Sequence, residues 1–236
     1  HGATTYGLGD HVDVRAVDLE ADSGTFRFAI ERRVPSGGRE RLGQVVLPLR
    51  GLHNVANATG AAAMAMAVGV PFREVAESLG RFGGVARRFD VRGIDGGATF
   101  VDDYAHLPSE IAAVLAAART SGDGWQRVIA VFQPNRYNRI AEMWSEYHSA
   151  FVDADLVVLT DIYPSGTTPI PGVTGKLIVN AVTEARPEQR VVWLPRRDDL
   201  VDFLAREARD GDVCVSMGCG DIANLPAEVL DARRGR

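Results

Sequence analysis

The residues between positions 101 and 110 could bind a ligand, because two carboxylates, a phenol and an imidazole follow a short apolar strand there. These side chains belong to Asp102, Asp103, Tyr104 and His106. Pro108 is tolerated as a first helical residue and Glu110 suits the first turn of a helix, so the pattern predicts strand, turn and helix. Ligands of open α/β sheets bind at the carboxyl ends of strands. Taken singly, such residues could be ordinary turn or capping residues, whereas the whole cluster indicates a site.

Two further strand ends carry polar groups. Arg136 and Arg139 follow the apolar run that ends at Phe132, and a helix starting there would place them on one side. Arginine forks suit a carboxylate or a phosphate; an exposed arginine pair is the plain alternative. Asp161 and Tyr163 follow the next apolar run and could line the same cleft, or they could belong to a structural loop.

A third group of candidates lies earlier in the chain. His53, Asn54 and Asn57 occupy the first turns of a helical pattern, where they could cap the helix or present amide groups to a ligand. Arg87 and Arg88 follow a glycine pair and could meet a phosphate, or they could be a surface charge pair.

The elements that position these residues change in character along the chain. Residues 1–50 alternate as β hairpins, and two helices follow, near 52–70 and 71–81. After the glycines at 83 and 84, strands and helices alternate, which is typical of an α/β fold with a mainly parallel sheet and right-handed crossovers. Strands are predicted near 98–102, 127–132, 156–160, 190–193 and 212–216, and helices near 108–119, 138–151, 173–185, 197–209 and 221–230.

Composition and missing motifs restrict the possible functions. The net charge is −5 and no basic stretch suits nucleic acid. No run of about 20 apolar residues predicts a membrane span, and no signal peptide pattern occurs. The two cysteines lack metal-ligand spacing, and we expect them to be reduced thiols in a cytoplasmic protein. A phosphate-loop pattern fails near Lys176, because Ile170 replaces its first glycine and Leu177 its final hydroxyl residue.

Four motifs occur in an order that resembles the Mur ligase family of peptidoglycan synthesis. They span residues 51–58, 87–90, 101–110 and 132–137, and the segments 169–173 and 218–222 extend the resemblance over nearly the whole chain. The resemblance implies that residues 1–86 are the closing part of a central ATPase domain and that residues 87–236 are a Rossmann-like C-terminal domain. It also implies that the phosphate loop and the magnesium ligands lie upstream of residue 1.

The activity that this resemblance implies is ATP-dependent amide-bond formation. Within the family it points to the branch that joins L-alanine to UDP-N-acetylmuramate through an acyl phosphate, with ATP and Mg²⁺ taking part. A sibling ligase that adds another amino acid or a peptide is the alternative, as is a binding module without catalysis, since the phosphate loop is absent here. The chain as given is expected to be inactive alone, and we expect neither nucleic-acid nor membrane partners.

The resemblance also implies roles for individual residues, none of them catalytic and none a metal ligand. Nucleotide contacts are implied for His53, Asn54, Asn57, Arg88 and Asp103. The pocket for the incoming amino acid is implied for Tyr104, His106, Arg136 and Arg139. Leu107 and Asn135 stand where the family usually has histidine, so the identity of the accepted amino acid is open.

Overall fold

The computed structural model describes residues 3–235, which form two compact units. The first unit contains the residues up to Gly84 together with Thr120–Gly124, and the second contains Val85–Arg119 and the residues from Trp125 onward. No helix in the described part of the chain has both the length and the apolar character that crossing a bilayer requires.

The first unit is a four-stranded sheet covered by two helices. Its strands, in the spatial order β1-β2-β3-β4, are β1 (Tyr6–Gly7), β2 (Val14–Asp22), β3 (Thr25–Arg33) and β4 (Arg39–Leu47), and the helices are α1 (Leu52–Ala67) and α2 (Phe72–Gly80). Strands β2, β3 and β4 pair antiparallel, whereas β1 pairs parallel to β2. The period of two in β3 buries Phe26, Phe28 and Ile30 against α1 residues such as Val55 and Ala62. The predicted hairpins and two helices are therefore confirmed.

The second unit is a six-stranded sheet in the spatial order β5-β6-β10-β7-β8-β9. Its strands are β5 (Asp90–Asp95), β6 (Ala98–Asp103), β7 (Arg127–Phe132), β8 (Leu156–Leu159), β9 (Arg190–Trp193) and β10 (Asp212–Met217). Its helices are α3 (Pro108–Thr120), α4 (Tyr137–Met143), α5 (Lys176–Ala185), α6 (Arg197–Glu207) and α7 (Leu225–Arg234). All neighbouring strands pair parallel except β5, which is antiparallel to β6. The predicted α/β class with a mainly parallel sheet is confirmed.

Helices cover both faces of this sheet, which explains why its central strands are buried almost throughout and mostly apolar. On one face, Val128, Ala130 and Phe132 of β7 belong to a core that includes Ile111 of α3 and Ile178 of α5. On the other face, the alternate residues of β7 pack with α6 and α7, through a core that includes Ile129, Val131, Leu200, Leu204 and Val229.

Several element boundaries differ from the sequence prediction. The edge strand β5 was missed, because Val91 and Ile94 are exposed, a bulge interrupts its pairing and no alternating burial pattern results. The predicted helix 138–151 is a short α4 followed by a 3₁₀ helix, Trp144–Ser149. A 3₁₀ turn, Asp221–Asn224, likewise precedes α7, which begins only at Leu225.

Candidate functional site

The carboxyl ends of four parallel strands lie side by side in the second unit. Asp103 of β6 pairs with Met217 of β10, Met217 pairs with Phe132 of β7, and Phe132 pairs with Leu159 of β8. The chain passes from β6 to β7 across the position that β10 later fills. The segments that the sequence analysis singled out therefore emerge together, at an edge where parallel α/β sheets bind ligands.

Arg87 joins the start of the unit to this edge. Its Nε donates to Oδ2 of Asp102 at 2.9 Å, and its Nη2 donates to the carbonyl oxygen of Gly218 at 2.7 Å. Asp102 is fully buried, so this guanidinium is the charge that compensates its carboxylate. The backbone of Arg87 is left-handed (φ 61°), which costs energy for a side chain with a Cβ. Strain and burial together indicate that the contact fixes residues 85–90 against the strand ends.

The buried carboxylate of Asp103 fixes the turn after β6 by accepting two backbone N–H groups. The N–H of Phe89 donates to its Oδ2 and the N–H of Ala105 to its Oδ1, both at 2.7 Å, and its exposed fraction is 2%. Burial raises the pKa of this carboxyl, and the two N–H donors oppose that rise. The implied nucleotide residue is thus a buried member of the turn in this structure.

We expect Asp103 to make folding less favourable as the pH rises. A carboxyl group whose pKa is higher in the folded state stabilises that state while it is protonated. This contribution is fully present below the unfolded pKa, which is about 3.9, and is lost as the pH rises through the higher folded pKa. Urea unfolding of the wild type and Asp103→Asn between pH 3 and 7 should show the wild type losing stability relative to the variant. Asp198→Asn, at an exposed carboxylate of α6, is the control. A wild-type advantage that grows with pH would contradict the prediction.

Tyr104 and His106 form one aromatic group at the mouth of the turn. Their rings meet edge to face, with centroids 5.4 Å apart, and the guanidinium carbons of Arg87 and Arg88 lie 5.1 and 5.7 Å from the Tyr104 ring centroid. Cations over an aromatic face are attracted by its quadrupole. Arg88 is exposed and Arg87 is half-buried, so Arg88 is the more accessible of the two cations.

Glu110 fixes the backbone just before α3 through its side chain. Its Oε2 accepts the N–H groups of His106 and Leu107, at 2.9 and 3.1 Å, as the acidic residue of a capping box does. Burial raises the pKa of Glu110, whereas the hydrogen bonds from these two N–H groups lower it. The lowering effects together outweigh burial, so the pKa lies below its ordinary value. Nδ1 of His106 lies 3.0 Å from the carbonyl oxygen of Tyr104 and 3.3 Å from Oε2 of Glu110.

The two arginines implied for the amino-acid pocket stand at the start of α4. Arg136 is exposed, has a left-handed backbone (φ 64°) and donates its N–H to the carbonyl oxygen of Tyr163 at 3.0 Å. Arg139 is half-buried, and its Nη1 donates to Oδ1 of Asn135 at 3.0 Å. Within residues 3–235, neither guanidinium forms an ion pair with a carboxylate.

Arg139 and His106 are neighbours of the same phenol. The hydroxyl of Tyr147 donates to the carbonyl oxygen of His106 at 2.8 Å. Burial raises the pKa of this phenol, and the positive charge of Arg139 is the strongest of the influences that oppose the rise. The structure therefore brings the predicted groups after β6 and β7 to one place.

The turn after β10 contacts the segment that follows β7. Gln133 donates its side-chain N–H to Oδ1 of Asp221 at 2.7 Å, and its Oε1 accepts the N–H of Ile222 at 3.2 Å. A Cβ on Gly220 would lie 2.5 Å from the Tyr163 ring, so the ring rests directly on this glycine. Sequence patterns did not identify these contacts, because they join three distant segments.

A polar cavity of about 220 Å³ opens beside this turn. Its walls come from the ends of β7 and β8 and from the starts of α6 and the 3₁₀ turn, and they include Gln133, Thr160, Asp161, Tyr163, Arg197 and Asp221. Asp161 also accepts the N–H groups of Ile162 and Gly175, through Oδ1, and so fixes the chain before α5.

The remaining implied nucleotide residues belong to the first unit, on α1. His53 and Asn54 are half-buried, and Asn57 is exposed. Asn54 donates from Nδ2 to the carbonyl oxygen of Arg50 at 2.8 Å, so part of its amide is used to hold the helix start. Among residues 3–235, no three His, Cys, Asp or Glu side chains gather as a metal site would require, and we assign no Mg²⁺ ligand to them.

Comparisons with known proteins give a consistent family match. The family model described as "Mur ligase, glutamate ligase domain" matches residues 87–220. The chain is 44% identical over 232 residues to the UDP-N-acetylmuramate–L-alanine ligase of Acidothermus cellulolyticus, covering 98% of this chain and 47% of that protein. It is 39% identical to the enzyme of the same name from Geobacter sp. strain M21, covering 96% of this chain and 48% of that protein.

Solved structures support the same fold. The crystal structure of UDP-N-acetylmuramate-alanine ligase from Thermotoga maritima superposes with a TM-score of 0.79 at 24% identity, over 99% of this chain and 48% of that chain. The crystal structure of a murein peptide ligase from Psychrobacter arcticus superposes with a TM-score of 0.66 at 24% identity, over 97% of this chain and 46% of that chain. The chain spans about half the length of the curated relatives it matches. With the family match covering more than half of the sequence, the chain belongs to the Mur ligase family.

Proposed function

We propose that this chain is part of an ATP-dependent amide ligase that joins L-alanine to UDP-N-acetylmuramate. The observation that carries the proposal is Arg139, a half-buried guanidinium whose partner is the neutral side chain of Asn135. An arginine that lacks a carboxylate partner at the carboxyl edge of a sheet is suited to bind the carboxylate of a small ligand. The relatives at about 40% identity are named for a reaction that uses L-alanine.

The incoming amino acid would be held by its carboxylate at Arg139, with Arg136 and Tyr104 lining the same mouth. Its amine would then face the His106 ring. Nδ1 of His106 lies beside two acceptors, the Tyr104 carbonyl and Glu110, so a neutral ring carries its proton there and keeps Nε2 as an acceptor. His106 could thus take a proton from the amine as it attacks the acyl carbon, while the bond from that carbon to the phosphate oxygen breaks.

Nucleotide contacts are proposed for residues in each unit, taken separately. Exposed Arg88 has the charge and the reach to bind a phosphate, and buried Asp103 would hold the turn beside it. His53, Asn54 and Asn57 supply amide and imidazole groups on α1 for a base. Bound ATP with Mg²⁺ would supply the phosphoryl group that activates the sugar carboxylate, and the positive charge to offset it. The principal phosphate and metal ligands are then expected outside this chain.

Phosphate release by the full-length protein tests the proposal. The protein receives ATP, Mg²⁺ and UDP-N-acetylmuramate with one amino acid at a time, and the isolated chain of residues 1–236 serves as a control. Release that is strongest with L-alanine, and absent from the isolated chain, is expected. Release that prefers another amino acid would indicate a sibling ligase and a pocket changed at Leu107 and Asn135. No release with any amino acid would favour a binding module.

A further inference from the structure

Asn135 is held rigidly at the end of β7. Its side chain is 3% exposed, and its backbone forms an isolated parallel bridge with Tyr163. The N–H of Tyr163 donates to the carbonyl oxygen of Pro134 at 2.8 Å, and the N–H of Arg136 donates back to the carbonyl oxygen of Tyr163 at 3.0 Å. These two bonds flank Asn135, so its backbone direction is fixed by the segment that follows β8.

From this fixed position, the Asn135 amide oxygen reaches Arg139 across the first turn of α4. The distance from Nη1 of Arg139 to Oδ1 of Asn135 is 3.0 Å. A long arginine side chain loses considerable rotamer freedom when a ligand immobilises it. A partner that already orders the guanidinium reduces this cost, because the fork is then oriented before the ligand arrives.

The neutrality of Asn135 distinguishes this contact from other arginine contacts in the same unit. Arg87, Arg127 and Arg197 each bind a carboxylate, at 2.9, 2.6 and 2.7 Å. A carboxylate orients an arginine and also neutralises it. A carboxamide oxygen also orients it, through a weaker hydrogen bond, and leaves the positive charge available to a second partner.

We propose that Asn135 is a positioning residue for the amino-acid substrate. Its carboxamide oxygen aims the Arg139 guanidinium at the substrate carboxylate, and its lack of charge preserves the attraction between the two. This inference rests on the proposed function, in which Arg139 binds that carboxylate. It assigns a role to a side chain at which the sequence departs from the family's usual histidine.

The variant Asn135→Asp tests the charge directly. It places a carboxylate of nearly identical size 3.0 Å from Nη1 of Arg139. The new ion pair should compete with the substrate, so KM for L-alanine should rise about 10-fold or more while kcat changes little. KM for ATP and for UDP-N-acetylmuramate should stay the same. Asn135→Ala, which removes the orientation without adding charge, should raise KM for L-alanine by a smaller factor.

Asn138→Asp is the matched control, because it adds the same charge to an exposed residue in the first turn of α4. Its KM for L-alanine should stay within about twofold of the wild type. Combining Asn135→Asp with Arg139→Ala should raise KM no further than Arg139→Ala alone, since the interaction is already lost. Thermal unfolding midpoints of all variants identify any that fail to fold. If Asn135→Asp is one of them, the KM for L-alanine of Asn135→Ala is compared with that of the wild type instead.

The outcomes separate the two proposals. A wild type that uses L-alanine, with Asn135→Asp showing an unchanged KM or a lower kcat alone, would overturn the positioning role and leave the proposed function standing. Additive effects of Asn135→Asp and Arg139→Ala would overturn it too. A wild type without any amino-acid-dependent phosphate release would refute the proposed function, and the positioning role with it.

Discussion

Replacing Arg87 by alanine is expected to lower the free energy of unfolding of the second unit by about 3–5 kcal/mol, because it leaves a buried charge without its partner. Asp102 is fully buried, and Arg87 contacts both of its carboxylate oxygens, at 2.9 and 3.4 Å. The same guanidinium donates to the carbonyl oxygen of Gly218, so that acceptor also loses its donor. The substitution would therefore loosen the edge where the candidate site lies.

The measurement is urea unfolding followed by tryptophan fluorescence, since all three tryptophans of the chain, at 125, 144 and 193, belong to the second unit. Arg92→Ala is the control, because its contact with Asp90 is long (3.9 Å) and exposed, and it should cost about 0–1 kcal/mol. Adding Asp102→Asn to Arg87→Ala should recover part of the loss by removing the buried charge. Equal stability of Arg87→Ala and Arg92→Ala would show that the buried pair is not needed.

Replacing Arg139 by alanine is expected to lower kcat/KM for the amino acid about 100-fold, because a charged hydrogen bond to the substrate contributes about 1.5–3 kcal/mol. Arg139→Lys should fall between the wild type and Arg139→Ala, since an ammonium keeps the charge but loses the planar fork. The measurement is the initial rate of phosphate release by the full-length protein over a range of L-alanine concentrations, at saturating ATP and UDP-N-acetylmuramate.

Arg206→Ala is the matched control, because it removes the same charge from an exposed position on α6, whose core lies on the opposite face of the sheet. It should leave kcat/KM for the amino acid within about twofold of the wild type. A loss in Arg139→Ala that appears only in the KM for ATP would assign this arginine to the nucleotide, and a loss equal to that of Arg206→Ala would remove it from the site.

The sheet of the second unit could be predicted well because its central strands are apolar on both faces. Residues 127–132 and 212–217 are buried throughout or nearly so, and such runs between helical patterns indicate a parallel sheet. The order of the strands could not be predicted, since no local pattern tells β10 to lie between β6 and β7. Strand β5 was missed for a different reason, because an exposed edge strand buries no alternating face.

The sequence could predict which strand ends carry the polar residues of the candidate site, but not which of those residues contact one another. The polar residues at 102–106 and 136–139 follow apolar strands, and the structure brings them together around Tyr147. The sequence could not predict the pairing of Arg87 with Asp102, because it joins residues that are 15 positions apart. Neither could a pattern show that Asp103 is buried or that Asn135 binds Arg139, since burial and side-chain direction depend on tertiary packing.

The place of β10 between β6 and β7 also has a consequence for the order of assembly. Residues 212–217 form the last strand of this sheet in sequence order, yet both of their neighbours are made about 80 or more residues earlier, at 98–103 and 127–132. During synthesis from the N-terminus, β6 and β7 must remain unjoined until the final strand arrives between them. The edge that carries the candidate site is thus completed by the last strand of this sheet to be synthesised, so a nascent chain that stops before β10 cannot form it.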